Sequence, residues 1–224
     1  MTKQYSKKVA FFDLDGTLVK KDTYSLFIKC LQDNKLCDEQ FIQKDKELLK
    51  QFVNGTLNME EFFRFALLPL INLNKAQIKE ITDNYIENYL RPYVYEDALK
   101  LVNSYKSKGY YTIIVSATID VIVQPIASKI FNVDHSISTE AIYNNDIIIG
   151  EVDPMICHQE NKAIKLKKYC KENFLTLEGS HGYGDTINDK ELLQCATYAH
   201  ATNPHPLLKD FALTNNWDII YFNK

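Results

Sequence analysis

Two aspartates one residue apart, in Asp13-Leu14-Asp15-Gly16-Thr17, follow directly on the apolar run Val9-Ala10-Phe11-Phe12. Residues two apart on a strand share a face, and open α/β sheets bind ligands beyond the carboxyl ends of their parallel strands. That places the pair for phosphate chemistry. A phosphate monoester resists hydrolysis because its anionic oxygens repel nucleophiles and its alkoxide leaves poorly. An aspartate attacking phosphorus in line splits the reaction into two easier displacements, provided a cation screens the approach of like charges. Asp13 suits the nucleophile; Asp15 suits the acid that protonates the departing oxygen and later takes a proton from water. An Asp-Gly turn closing a hairpin is the plainer reading of the same residues.

A second acidic cluster, Asp185-Thr186-Ile187-Asn188-Asp189, follows Gly182-Tyr183-Gly184. Hard Mg²⁺ takes oxygen ligands and keeps several waters, so two carboxylates plus a substrate phosphate suffice, and Asp13 with Asp185 is the natural pair. Asn188 and Asp189 return to the same side of the helix expected to begin there. For phosphate oxygens, Ser116 at the end of Ile113-Ile114-Val115 offers a hydroxyl, and the amide of Ala117 follows it at a helix start. A fixed positive charge could come from any of Lys162, Lys165, Lys167 or Lys168; spacing does not choose among them.

These residues need a scaffold. The chain has 224 residues, 46% hydrophobic and 25% charged, enough for one domain with a sizeable insertion. A formal net charge of -3 gives little support to nucleic-acid binding and favours a small ligand. The polar N-terminus has too short an apolar run behind it for an export signal, and no window approaches a membrane span, so a cytoplasmic protein is expected. The five cysteines (Cys30, Cys37, Cys157, Cys170 and Cys195) form no C-x-x-C pair and suit reduced thiols.

One strand-helix-strand crossover takes roughly 30 residues, and about 70 more than that separate Asp13 from Ser116. Ile78, Ile81, Tyr85 and Tyr89 fall at helical spacing, as do Phe41, Leu48, Leu49 and Phe52, and Asn58-Met59-Glu60-Glu61 reads as a helix start. Residues 20–91 are therefore expected to form an all-helical insertion, a cap or lid, between core segments 1–19 and 92–224. The remainder alternates strand and helix, with a hairpin arm around Ile147 to Ile149 closed at Asn144-Asn145-Asp146. That pattern predicts an α/β fold, a doubly wound parallel sheet.

Taken in order, DLDGT at Asp13, VSAT at Ser116, a lysine at Lys162 and GDTIND at Asp185 resemble the haloacid dehalogenase superfamily of aspartate-nucleophile phosphatases, in its phosphoserine-phosphatase-like branch with a helical cap. Asn203-Pro204 followed by Leu208, Ala212 and Trp217 extends the resemblance over nearly the whole chain. The resemblance implies a Mg²⁺-dependent phosphatase of a small-molecule phosphomonoester. It makes Asp13 nucleophile and ligand, Asp15 acid/base and ligand through its backbone carbonyl, and Asp185 the further carboxylate ligand. It sets Ser116 and Lys162 on the phosphate, and Asn188 and Asp189 as groups that orient phosphate, metal water or the lysine. The dehalogenases that named the superfamily lack the second aspartate, so Asp15 argues against their chemistry. By the same resemblance Asp22 is a candidate for a substrate amine and Arg64 for a substrate carboxylate, with phosphoserine one possible substrate. A phosphotransferase or mutase would carry the same motifs, and a silent phospholigand-binding protein is the non-enzymatic alternative.

Overall fold

The computed structural model describes residues 7–223, and at residues 52 and 53 the backbone alone. The polar start of the chain and the side chain of Phe52, both used in the reading above, lie outside the described residues. From the N-terminal side the elements are β1 (Lys8–Phe12), α1 (Thr23–Asp33), α2 (Glu39–Val53), α3 (Met59–Leu67), α4 (Lys75–Tyr85), α5 (Glu96–Ser107), β2 (Tyr111–Ile119) and α6 (Asp120–Lys129). They continue as β3 (His135–Thr139), β4 (Ala141–Asn144), β5 (Ile147–Val152), α7 (Glu160–Glu172), β6 (Thr176–Gly184), α8 (Lys190–Leu193), β7 (Tyr198–Thr202), α9 (Pro206–Thr214) and β8 (Asp218–Ile220).

Six strands form one sheet in the order β3-β2-β1-β6-β7-β8, every pair parallel. Apolar residues fill both faces because both are covered. In β1, Ala10 and Phe12 enter one core and Val9 and Phe11 the other; in β2, Ile114 faces the first core and Ile113 and Val115 the second. Strand order runs outward in one direction from β1 and in the other from β6, so the crevice between those strands is the switch point at which α/β sheets bind ligands. The glycine-rich end of β6, which carries little strand signal, has a packing reason: a Cβ on Gly182 would lie 2.4 Å from the Phe11 ring.

Between β1 and α5 lie α1 to α4 and short 3₁₀ and π turns. Side chains set their starts: Asp22 caps α1, Asn58 caps α3 through the amides of Glu60 and Glu61, and Asn74 and Gln77 form a capping box on α4. The unit has its own aromatic packing, with Tyr85 fully buried edge-on to Phe27 at 5.2 Å and donating to the Thr23 carbonyl at 3.0 Å. Its named elements are all helical, and a strand pair from outside it reaches its edge. The β4–β5 hairpin, closed by Asn145 and Asp146 at φ +48° and +66°, adds its backbone to the joint before α4: Asn72 N donates to Ile148 O at 3.1 Å and Ile148 N to Leu73 O at 3.2 Å.

The sharpest local difference from the sequence reading is at β2. It does not end at Ser116. Between Val115, opposite Ile137, and Ile119, opposite Thr139, β2 advances four residues while β3 advances two. The surplus bulges out of the ladder, and α6 starts only at Asp120. The amide of Ala117 therefore belongs to a strand bulge, not to a helix start.

Candidate active site

Asp13 stands one residue beyond β1 and Asp185 one beyond β6, with Asp13 N donating to Tyr183 O at 2.9 Å across the pair. The loop after Asp13 presses against Asp185. Gly16 holds φ +81°, and a Cβ there would lie 2.0 Å from Asp185 Oδ2, so no other residue fits. Asn203 braces the same loop by donating to Gly16 O at 3.3 Å. Lys162, in the first turn of α7 and 4% exposed, places Nζ 2.6 Å from Asp13 Oδ1 and 2.7 Å from Asp189 Oδ1. The second oxygen of Asp189 accepts the Thr186 amide at 3.2 Å and its hydroxyl at 3.3 Å. Asp13, Asp185 and Asp189 each bring one carboxylate oxygen into a group spanning no more than 4.8 Å.

Burial, then the charges of neighbouring carboxylates, hold Asp13 and Asp185 well above the usual carboxylate range. Burial also works against the charge on Lys162, but Asp13 and Asp189 outweigh it and keep the ammonium firmly protonated. Three carboxylates thus crowd one ammonium. The cluster is short of positive charge, and its donors are all hard oxygens, the set a Mg²⁺ ion takes. The residues fit that ion.

Asp15 is held apart from this group. Its Oδ1 accepts the Thr23 amide at 2.6 Å, from the first residue of α1, and its Oδ2 accepts the Thr118 hydroxyl at 2.9 Å, from the β2 bulge. Burial, with the charge of Asp22 adding, pushes its pKa up to about 6. A carboxyl near that value exchanges protons readily at neutral pH. Neither threonine was assigned by sequence reasoning. Thr118 closes the VSAT motif and was legible as a hydroxyl near Ser116; nothing in the sequence brings Thr23 back to Asp15.

A cavity of about 260 Å³ opens over these groups, lined on the core side by Ala117, Thr118, His158, Lys162, Thr186 and Asn188. Burial and the Lys162 charge hold the His158 imidazole below its usual range, so it is neutral at pH 7. Ser116 does not line the cavity. It is fully buried, and its Oγ accepts the Thr118 amide at 3.1 Å, which shapes the bulge. The Ser116 hydroxyl, expected on phosphate, accepts this amide and keeps its own proton to donate, while Ala117 and Thr118 are what the bulge presents to the cavity.

The opposite side, from the helical segment between β1 and α5, is lined by Asp22, Tyr24, Leu49, Leu57, Met59, Phe62 and Phe63. Arg64 is absent, and helical phase explains why. Met59, Phe62 and Phe63 form one face of α3, while Arg64 shares the next face with Glu60. Its Nη2 lies 2.8 Å from Glu60 Oε1 and 2.8 Å from Glu151 Oε2 on β5. Arg64 ties α3 to the hairpin and lies outside the cavity lining. Asp22 does reach the cavity while capping α1, its Oδ1 accepting the Ser25 amide at 2.7 Å.

The model of haloacid dehalogenase-like hydrolases matches residues 10–194. A histidinol-phosphatase of Neisseria meningitidis serogroup C (strain 8013) is 26% identical over 221 residues, covering 96% of this chain and 99% of the relative. A phosphoserine phosphatase of Methanocaldococcus jannaschii is 26% identical over 212 residues, 92% of this chain and 90% of the relative. A crystal structure from Bordetella pertussis Tohama I, described as of unknown function, superposes with a TM-score of 0.89 at 24% identity over 96% of this chain and 99% of that one, a likeness of fold.

Proposed function

The chain belongs to the haloacid dehalogenase-like hydrolase family, as a phosphatase, and from that premise we propose that it hydrolyses a small-molecule phosphate monoester through an aspartyl-phosphate on Asp13 with Mg²⁺ as its metal. The observation that carries this reading is the convergence of Asp13, Lys162, Asp185 and Asp189 at the sheet's switch point, beside a carboxyl near pKa 6. Asp13, Asp185 and Asp189 would hold Mg²⁺, with the backbone carbonyl of Asp15, and the ion would offset the negative charge shared by phosphate and carboxylates.

In the first displacement an Asp13 oxygen bonds to phosphorus while the phosphorus–alcohol bond breaks. The electron pair goes to the alcohol oxygen, which takes the proton of Asp15. Asp15, now ionised, removes a proton from water as the water oxygen attacks phosphorus, and Asp13 leaves as a carboxylate. Lys162 fixes the rotamer of Asp13 and supplies positive charge toward the phosphoryl oxygens; the Ala117 amide and the Asn188 side chain offer further donors.

Asp13→Asn is nearly isosteric and removes the nucleophilic oxygen. With p-nitrophenyl phosphate and Mg²⁺, kcat should fall by about a thousandfold or more, with an undiminished melting temperature. Rapid acid quench should trap phosphate covalently on the wild type and none on the variant. Retention of most of the wild-type kcat would remove Asp13 from its role.

A further inference from the structure

Two histidines stand on the sheet behind the site and take no part in its chemistry. In the β6–β7 register His181 lies opposite Tyr198 and Tyr183 opposite His200. The two imidazoles are within 7° of parallel, and His181 Nδ1 meets His200 Nε2 at 2.9 Å. A hydrogen bond between two ring nitrogens holds a single proton, and the neighbours choose its owner. His200 Nδ1 is buried and lies 3.2 Å from Asp218 Oδ2 on β8, without the alignment of a hydrogen bond. A carboxylate there favours the tautomer with its proton on Nδ1, which leaves His200 Nε2 to accept from His181 Nδ1. The other charged or titratable groups around the pair are Lys8 on β1, Lys108 just beyond α5, and the hydroxyls of Tyr105, Tyr110, Tyr183 and Tyr198. Burial, with Lys108 and Lys8 adding, holds His181 below its usual range, and burial with the adjoining imidazole takes His200 down to about 4, so the pair is neutral at pH 7.

Strand β7 connects the pair to the site. Just beyond it, Asn203 donates to Gly16 O at 3.3 Å and His205 N donates to Asp185 O at 2.8 Å. From this geometry we infer that His181 and His200 form a proton-sensitive latch: neutral, it holds β7 against β6 with Asn203 and His205 on the loops of the site, and double protonation parts the strands and disables the site in acid. A first added proton is tolerated, because an imidazolium still donates to the free nitrogen of the other ring. A second sets N–H against N–H across a 2.9 Å gap and places two like charges side by side. Asp218, one largely exposed carboxylate, does not offset two such cations. Both groups are bases whose folded pKa lies below the unfolded value, so their stabilising contribution is complete above about pH 6.5 and is lost as pH falls toward the folded values. Each histidine then costs the folding equilibrium up to about tenfold per pH unit.

An asparagine amide nitrogen stands where histidine has Nδ1, and a glutamine amide oxygen stands where it has Nε2, so His181→Asn with His200→Gln keeps a donor and an acceptor that no longer titrate. The double variant and the wild type are compared by urea unfolding and, resting on the phosphatase reading above, by hydrolysis of p-nitrophenyl phosphate with Mg²⁺. Between pH 6.5 and pH 5 the wild-type unfolding constant should rise at least about tenfold more than the variant's, and its kcat should fall at least about threefold further. Parallel unfolding losses in both proteins would overturn the latch, and an unfolding difference with no difference in kcat would overturn its link to the site. Histidine-ring and β7 amide resonances read the same latch in the wild type, with no substitution needed. Both rings should stay neutral to below pH 6 and then titrate together with a shift of the β7 amides; separate titrations near 6.5 with unmoved amides would overturn the inference. A wild type that hydrolyses nothing at any pH would sink the phosphatase reading, while unfolding and resonances still decide the latch.

Discussion

At the scale of single residues, the site is organised by how its hydrogen-bond capacity is divided. Asp15 takes one donor from each side of the cleft: the Thr23 amide, which can only donate, and the Thr118 hydroxyl, which can donate to the carboxylate or accept from the acid. Thr118 therefore serves both protonation states through which the proposed mechanism takes Asp15. Thr118→Val removes the hydroxyl at nearly constant shape. Its kcat should drop about tenfold or more for an alkyl phosphate, whose leaving oxygen needs a proton, and much less for p-nitrophenyl phosphate, whose leaving group does not. Thr118→Ser should restore the alkyl rate. Equal losses on both substrates would reduce Thr118 to a packing role. Ser116 uses a lone pair of its hydroxyl on the amide of Thr118 and keeps its proton to donate.

At the scale of elements, the β2 bulge, the start of α6 and the hairpin meet at Asp120. This carboxylate, 8% exposed, accepts the Val121 amide at 2.8 Å and the Ala141 amide at 3.0 Å. Burial raises its pKa from 3.8 to about 6 against those bonds. The folded state therefore prefers the protonated form, so the group's stabilising contribution is complete below about pH 4 and is lost as pH rises through about 6. Asp120→Asn keeps the acceptor oxygen and removes the charge. At pH 8 the variant should be more stable than the wild type by up to about 3 kcal/mol, and at pH 4 the gap should close, as followed by urea unfolding. A less stable variant at pH 8 would mean that the charged form's hydrogen bonds outweigh its burial. The same joint ties the helical unit to the rest of the molecule. An antiparallel hairpin from the core side reaches the segment before α4 through backbone bonds and reaches α3 through Arg64 and Glu151, pairings between segments too distant in the chain for periodicity to announce.

At the scale of the whole molecule, folding forces like charges together. Lys162 meets Asp13 across 149 positions of sequence, and Asp185 arrives on a separate strand. Such a cluster is costly without a cation, so Mg²⁺ should raise the wild-type melting temperature, with a stabilisation of about 2.7 kcal/mol at one hundred times Kd. Asp185→Asn should melt higher than the metal-free wild type, because repulsion is relieved, and should lose most of the response to Mg²⁺. An unchanged Mg²⁺ titration would take Asp185 out of the ligand set. The sequence by itself determined the alternation of strand and helix, the helical surplus after Asp13, and which acidic motifs stand at strand ends, since strand period, capping residues and short motifs are local signals. The glycines around Asp185 were visible too, though the contacts with Asp185 and Phe11 that require them were not. Only the tertiary structure decided that Thr118 and not Ser116 lines the cleft, that Arg64 turns to Glu60 and Glu151, and that Tyr24 donates to Asp45. Each depends on where a bulge, a helix face or a distant partner lies in space. Residue type sets which bonds a side chain can make; which one it makes is set by its neighbours.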